Sequence, residues 1–227
     1  MNLTTRLVLA LTAVSLALTA VHVVADSGAV ALTKADPSCG DPTTHPSDAG
    51  ADRYFDCKNG TVTDDLTGLT WLQKPGCLTS KPLAGAPGVN PSGAKLDWDR
   101  ATIEAHNLSH GVCDLQDNSR PGDWRMPTKD EWEQMIDTSC TGPALSDETG
   151  DKCASESTTH VFDFSEFCGG GDNQDYYWSA TTDTSGGSNT DAFTIELFDG
   201  SVQTDPKTFV NCLWPVRISQ GPGGEAP

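Results

Sequence analysis

Basic residues are scarce in this sequence. Its 227 residues include 14 lysines and arginines against 32 aspartates and glutamates, for a formal net charge of −18. So strong an excess of negative charge repels polyanions and attracts cations. Nucleic acid is therefore excluded as a partner, whereas uncharged and cationic ligands are not.

Long apolar segments are absent after residue 25. The apolar run over residues 7–20 follows Arg6 and is too short and too rich in small residues for a membrane span. Val23, Val24 and Ala25 are typical of a cleavage site, so the pattern predicts a secretory signal peptide over residues 1–25 rather than an uncleaved anchor. No transmembrane segment is then expected in the mature chain. We expect a secreted, periplasmic or cell-surface protein.

Motifs of common enzyme classes are missing too. The sequence has no H-E-x-x-H, no G-x-S-x-G, no Gly-rich phosphate loop and no Cys-x-x-Cys pair. A carboxylate pair for glycoside hydrolysis stays open, because so many acidic residues make accidental pairs certain. The spacing of His106, His110 and Cys113 leaves zinc as a minor alternative. We expect a protein that is not an enzyme.

Cysteine is abundant by contrast. An even number of cysteines in an exported chain predicts disulfides, although eight allow 105 pairings. Proximity in the sequence favours Cys39–Cys57, Cys77–Cys113 and Cys140–Cys153, with Cys168–Cys212 closing the longest loop.

The composition divides the remaining chain. Residues 26–51 are rich in Pro, Ser, Asp, Thr and Ala without periodicity and are expected to form a flexible leader. One domain is expected over residues 52–219, and a disordered tail over residues 220–227. Within the domain, residues 81–93 and 138–175 are predicted loops.

A helix is predicted by the stretch "GDWRMPTKDEW", residues 122–132. Thr128 followed by Glu131 is a capping box, and Trp132, Met135 and Ile136 form one apolar face. We therefore expect a helix over residues 128–137 with Trp132 buried, and Trp124 at the edge of the core. A second helix is expected from "DWDRATIEAHNL", with Asp97 as its cap.

Short strands are predicted between the loops. "GTVTDDLTGLTWL" indicates two strands around a turn, "YYWSATT" one strand, and "AFTIELFDGSVQT" a hairpin that turns at Asp199 and Gly200. "FVNCLWPVRIS" indicates a last strand, with Pro215 near a sheet edge. The fold class is α+β: two helices with short antiparallel strands and long disulfide-stapled loops.

These motifs come in a familiar order. Six segments, taken in this order, resemble the Lcl C-terminal domain family, which was long catalogued as a domain of unknown function. They are "NGTVTDDLTGLTW", "DWDRA", "GDWRMPT", "YYWSATT", "FDGSV" and "LWPVR". The resemblance implies an exported bacterial domain with a C-type-lectin-like fold, similar to formylglycine-generating enzymes. The family's best-known member is the trimeric tip of a collagen-like adhesin that binds sulphated polysaccharides. This chain has no collagen-like repeat, and its charge does not suit sulphated glycans.

Two loops carry candidate binding residues. In "GGGDNQDYYW", Asp172, Asn173 and Asp175 are predicted polar contacts to a ligand, and Tyr176 a ring that stacks on a sugar, while Trp178 is expected in the core. The run "CDLQDNSRPGD" contains four candidate oxygen ligands for calcium: Asp114, Asp117, Asn118 and Asp123. Solvated acidic loops are the alternative for both runs, and calcium is the cofactor that these loops suggest.

The expected function is recognition of a glycan or a surface protein. A structural or accessory extracellular domain without a ligand is the alternative, and an enzyme related to the formylglycine-generating proteins is less favoured. The sequence does not determine the oligomeric state.

Overall fold

The computed structural model describes residues 52–80, 95–158, 160–164, 168 and 176–218. The predicted signal peptide, leader and tail lie outside these residues. Among the described residues the chain forms seven strands, three α-helices and one short 3-10 helix, Ala154–Glu156. They are β1 Tyr54–Asp56, β2 Thr61–Asp64, β3 Leu69–Leu72, α1 Cys77–Ser80, α2 Trp98–Asn107, α3 Lys129–Met135, β4 Tyr176–Asp183, β5 Asp191–Glu196, β6 Val202–Pro206 and β7 Val216–Ile218.

The strands form two antiparallel sheets. One has the order β1-β2-β3-β7 and the other the order β4-β5-β6. The α+β class, the two predicted helices and the hairpin are confirmed. Strand β1 and the single turn α1 were not predicted, since elements of three and four residues are too short to show periodicity.

The turn of the β5–β6 hairpin needs its glycine. Gly200 has a φ of +77°, and a Cβ there would lie 2.4 Å from Cγ2 of Ile136. Asp199 accepts a hydrogen bond from the backbone N–H of Ser201 at 2.8 Å. The predicted Asp-Gly turn therefore also brings the hairpin against the end of α3.

The predicted last strand is wrong in its extent. Only Val216–Ile218 pairs with β3, as an edge strand after Pro215. Before the proline, Asn211 makes an isolated bridge to Leu96, and Cys212 one to Tyr177 of β4. The segment thus crosses from one sheet to the other. The alternation of apolar and polar side chains in the sequence does not show this crossing.

Both predicted helices start at their predicted caps. The Asp97 carboxylate accepts from the backbone N–H of Arg100 at 2.8 Å. In α3, the Thr128 hydroxyl accepts from the Glu131 N–H at 3.2 Å, and the Glu131 carboxylate accepts from the Thr128 N–H at 2.7 Å. The capping box is confirmed, although α3 stops at Met135 because Ile136 is extended.

Buried tryptophans form the centre of the core. Five are at most 1% exposed: Trp71, Trp124, Trp132, Trp178 and Trp214. The predicted burial of Trp132 and Trp178 is confirmed, and Trp124, predicted at the edge of the core, is buried as well. The indole N–H groups of Trp132 and Trp178 also link distant segments: Trp132 donates to the carbonyl of Trp178 at 3.2 Å, and Trp178 to that of Leu96 at 2.8 Å. The stretch of residues 122–132, which contains Trp124 and Trp132, therefore has a structural role at the start of α3.

We expect Trp132→Ala to lower the free energy of unfolding by about 3–5 kcal/mol, because it leaves a large cavity. Thr128→Ala, which removes only a cap, should cost about 1 kcal/mol. Denaturant unfolding measures both, with Ile103→Ala on the exposed face of α2 as the control. Equal losses in Trp132→Ala and Ile103→Ala would contradict this account of the core.

Glu131 connects α3 to the preceding loop. The Arg125 guanidinium donates to both of its carboxylate oxygens, at 2.7 and 2.6 Å. Burial opposes ionisation, but the hydrogen bonds from Arg125 and Thr128 outweigh it and hold the pKa of Glu131 below its ordinary value. A carboxylate with a depressed folded-state pKa stabilises the protein above its unfolded pKa, about 4.3, and the stabilisation is lost as the pH falls through the folded-state pKa.

Glu131→Gln should therefore be less stable than the parent at pH 6, and the difference should shrink as the pH drops below about 4. Melting temperatures between pH 3 and pH 6 measure it. Glu133→Gln, on the same helix, removes a more exposed carboxylate and should show a smaller dependence on pH. A difference between Glu131→Gln and the parent that stays constant with pH would refute the assignment.

Candidate functional site

The predicted sugar contacts fall partly outside the described residues. Asp172, Asn173 and Asp175 lie there, so their role stays a prediction. Tyr176 begins β4 and is half-buried opposite Glu196 of β5. Burial, with the charge and hydrogen bond of Glu196, raises the pKa of its phenol. The ring is therefore held at the strand end, next to the predicted contacts in the sequence.

The four predicted calcium ligands lie in the loop before α3, where the three aspartates contact other groups of the protein. Asp114 pairs with Lys74 at 2.5 Å, and the buried carboxylate of Asp117 lies 3.4 Å from the Arg217 guanidinium. Asp123 accepts from the backbone N–H of Arg120 at 2.7 Å. Asn118 has a positive φ of 58°.

Asp114, Asp117 and Asp123 are not grouped so that the three could hold one metal ion. Across the described part of the chain, no group of three or more His, Cys, Asp and Glu side chains is placed to share a metal ion. The zinc alternative is wrong, because Cys113 is joined to Cys77. The calcium site stays a prediction for this loop.

A cleft lies within the predicted loop 138–175. It has a volume of about 500 Å³, inside the range of roughly 300–1,000 Å³ typical of small-molecule sites. Its described lining combines aromatic rings, a carboxylate, a hydroxyl and an imidazole: Gly142, Pro143, Ala154, Ser155, His160, Phe162, Asp163 and Phe164.

The rings of the cleft continue those of the core. Phe162 is buried and packs edge-on against Trp214, with ring centroids 5.0 Å apart. Half-buried Phe164 lies 6.1 Å from Phe162 and 6.3 Å from Trp214, and exposed His160 lies 6.3 Å from Phe164. Edge-to-face and tilted contacts are the preferred arrangements of aromatic pairs. The outer rings of the cleft are therefore supported by the core.

Gln73, just after β3, holds this segment at two points. Its side-chain amide donates to the carbonyl of Val161 at 2.9 Å, and its own carbonyl accepts from the Asp163 N–H at 2.9 Å. Both bonds join residues distant in the sequence. The loop that carries the rings is thereby fixed to the first sheet.

The charges around the cleft are mostly negative. The side chain of Asp163 is 39% exposed and lies 4.0 Å from Lys74, which is closer to Asp114. Asp147 and Glu148 line a small adjoining cavity. Burial would raise the pKa of Asp147, but hydrogen bonds from Thr149 and from nearby backbone N–H groups hold it below the ordinary value. None of the described residues lining the cleft is a lysine or an arginine.

A model of the Lcl C-terminal domain family matches residues 60–217. The chain belongs to the Lcl C-terminal domain family. The match takes in both predicted helices and the cleft. No curated protein matches the chain. Within the described part of this Lcl C-terminal domain, no helix has the length and apolar character needed to cross a membrane.

Sequence reasoning missed the cleft in this Lcl C-terminal domain. The one available signal was "HVFDF", residues 160–164, in which aromatic rings alternate with other side chains. Alternation over five residues also fits a strand, and the structure shows that the segment belongs to none. Its position depends on contacts with Gln73 and Trp214, which are remote in the sequence.

Disulfides fasten the loop around the cleft. The predicted pairs Cys77–Cys113, Cys140–Cys153 and Cys168–Cys212 are confirmed. Cys57 is disulfide-bonded as well, and its predicted partner Cys39 lies outside the described residues. Pro143, which lines the cleft, follows Cys140 closely, and Cys168 follows the aromatic segment.

Removing Cys168–Cys212 should destabilise the domain more than removing Cys140–Cys153, because the two pairs span 44 and 13 residues. The entropy of loop closure gives roughly 4 and 3 kcal/mol. Denaturant unfolding of the two double alanine variants measures the difference. The reverse order would contradict it.

Proposed function

We propose that this domain is a non-catalytic recognition module that works outside the cytoplasm and binds a glycan or a surface protein. The cleft carries the proposal: it presents partly exposed rings and polar groups in a loop fixed to a rigid frame. Binding residues are commonly found in such loops. A C-type-lectin-like fold, which the family resemblance implies, is part of this proposal.

Export is supported by the cysteines. All seven cysteines in the described residues are disulfide-bonded. Such bonds form and persist in oxidising compartments. They agree with the signal peptide predicted over residues 1–25, and with action in the periplasm, at the cell surface or after secretion.

The same disulfides favour binding over thiol catalysis. A catalytic cysteine must reach the thiolate form, and a cysteine in a disulfide cannot. The formylglycine-generating enzymes work through a reactive cysteine pair. None of the seven described cysteines offers such a pair while it remains oxidised.

Residues at the end of the loop are proposed as further parts of the binding site. Asp172, Asn173 and Asp175 are proposed as contacts to the ligand, direct or through calcium. Tyr176, which follows them in the sequence and begins β4, has a half-buried ring and is proposed as the stacking surface. Carboxylate and amide oxygens suit both sugar hydroxyls and calcium.

The test is a glycan array, together with immobilised surface proteins, with calcium or with excess chelator. We expect the parent to bind, and Asp172→Ala/Asp175→Ala to bind at least tenfold more weakly with an unchanged melting temperature. Asp183→Ala/Asp191→Ala is the control, because it removes two carboxylates at the other end of β4.

Two results would overturn the proposed function, and a third would remove residues from the proposed site. Absence of any ligand would favour an accessory domain. Turnover of a bound compound would favour an enzyme. Full binding by Asp172→Ala/Asp175→Ala would remove those residues from the site.

A further inference from the structure

We propose that the cleft beside Phe164 binds an uncharged, unsulphated hexopyranose oligosaccharide. One sugar ring stacks on Phe164, and its hydroxyls bond to Asp163 and Ser155. This inference rests on the proposed recognition function and names both the site and the class of ligand.

The stacking surface is already in place. Phe164 is half-buried and packs at 86° to Trp214 and 46° to Phe162, so contacts with the core fix its position. His160 is exposed and stands edge-on to Phe164, with an interplanar angle of 68°. A fixed ring loses little conformational entropy when a ligand binds. Phe164 is therefore suited to hold the apolar face of a pyranose.

Polar groups border that surface. The Asp163 carboxylate is partly exposed, while its backbone N–H is held by Gln73. Ser155 is exposed within the 3-10 helix on another part of the rim. A carboxylate accepts hydrogen bonds from hydroxyls, and a serine hydroxyl both donates and accepts. A few oriented polar groups around an apolar surface are typical of ligand sites.

Charge determines which sugars fit. Sulphate groups are usually held by clustered arginines and lysines. Here the described lining contains Asp163 and neither of those residues, and Asp147 and Glu148 lie in the adjoining cavity. The nearby Lys74 is already paired with Asp114 and Asp163. Repulsion therefore opposes a sulphated ligand, whereas an uncharged sugar meets no such cost.

Calorimetric titration of the full exported chain tests the inference. The probes are neutral cello-, manno- and N-acetylated chito-oligosaccharides, deacetylated chito-oligosaccharides, and carrageenan oligosaccharides with their desulphated counterparts. We expect at least one neutral probe to bind. We also expect the sulphated carrageenan oligosaccharides to bind at least tenfold more weakly than their desulphated counterparts.

Variants locate the site. Phe164→Ala and Asp163→Asn should each weaken binding of the neutral probe about tenfold or more. Phe209→Ala is the matched control, because it removes a ring that is 56% exposed and does not line the cleft. Asp163→Asn keeps the shape of the side chain, so it serves as the test if Phe164→Ala fails to fold.

The outcomes separate this inference from the proposed function. Binding of a surface protein but of no oligosaccharide overturns the inference and leaves the recognition function standing. Preference for the sulphated probe, or for the cationic deacetylated chito-oligosaccharides, overturns it too, as does full affinity in Asp163→Asn. A chain that binds none of the probes and no surface protein overturns both.

Discussion

Both sheets meet at the indole of Trp132. Its ring centroid lies 5.2 Å from that of Trp71 in the first sheet and 5.8 Å from that of Tyr177 in the second, and its N–H donates to the carbonyl of Trp178. One side chain thus fixes α3 against β3 and β4. The sheets are small, with strands of three to eight residues, so they depend on such contacts more than a large sheet would.

Local chemistry determined what could be predicted from the sequence. The capping box at Thr128, the cap at Asp97 and the Asp-Gly turn at residue 200 each involve residues within a few positions of one another, and the structure contains all three. Three of the four predicted disulfide pairs are confirmed, because cysteines that follow one another in the sequence pair with each other.

What could not be predicted depends on distant partners. The segment before Pro215 alternates like a strand, yet it bridges Leu96 and Tyr177 instead of continuing β7. The cleft is a similar case, because Gln73 is far in the sequence from Val161 and Asp163 and meets them only in the fold. The candidate site could therefore be predicted as a loop, but not as a cavity with a defined lining.

The residues of this loop differ in how firmly they are held and how exposed they are. This difference separates structural residues from candidate binding residues. Phe162 lies in the core, in contact with Tyr54 and Trp214, and also lines the cleft. Replacing Phe162 would disturb both the folding of the domain and the shape of the cleft. A Phe162 variant therefore cannot distinguish a folding defect from a binding defect. Phe164 and Asp163 are held by the same core and by Gln73 but keep part of their surface exposed. Because the loop is fixed from within, its outer side chains can differ without disturbing the tryptophan core, and one frame can serve different ligands.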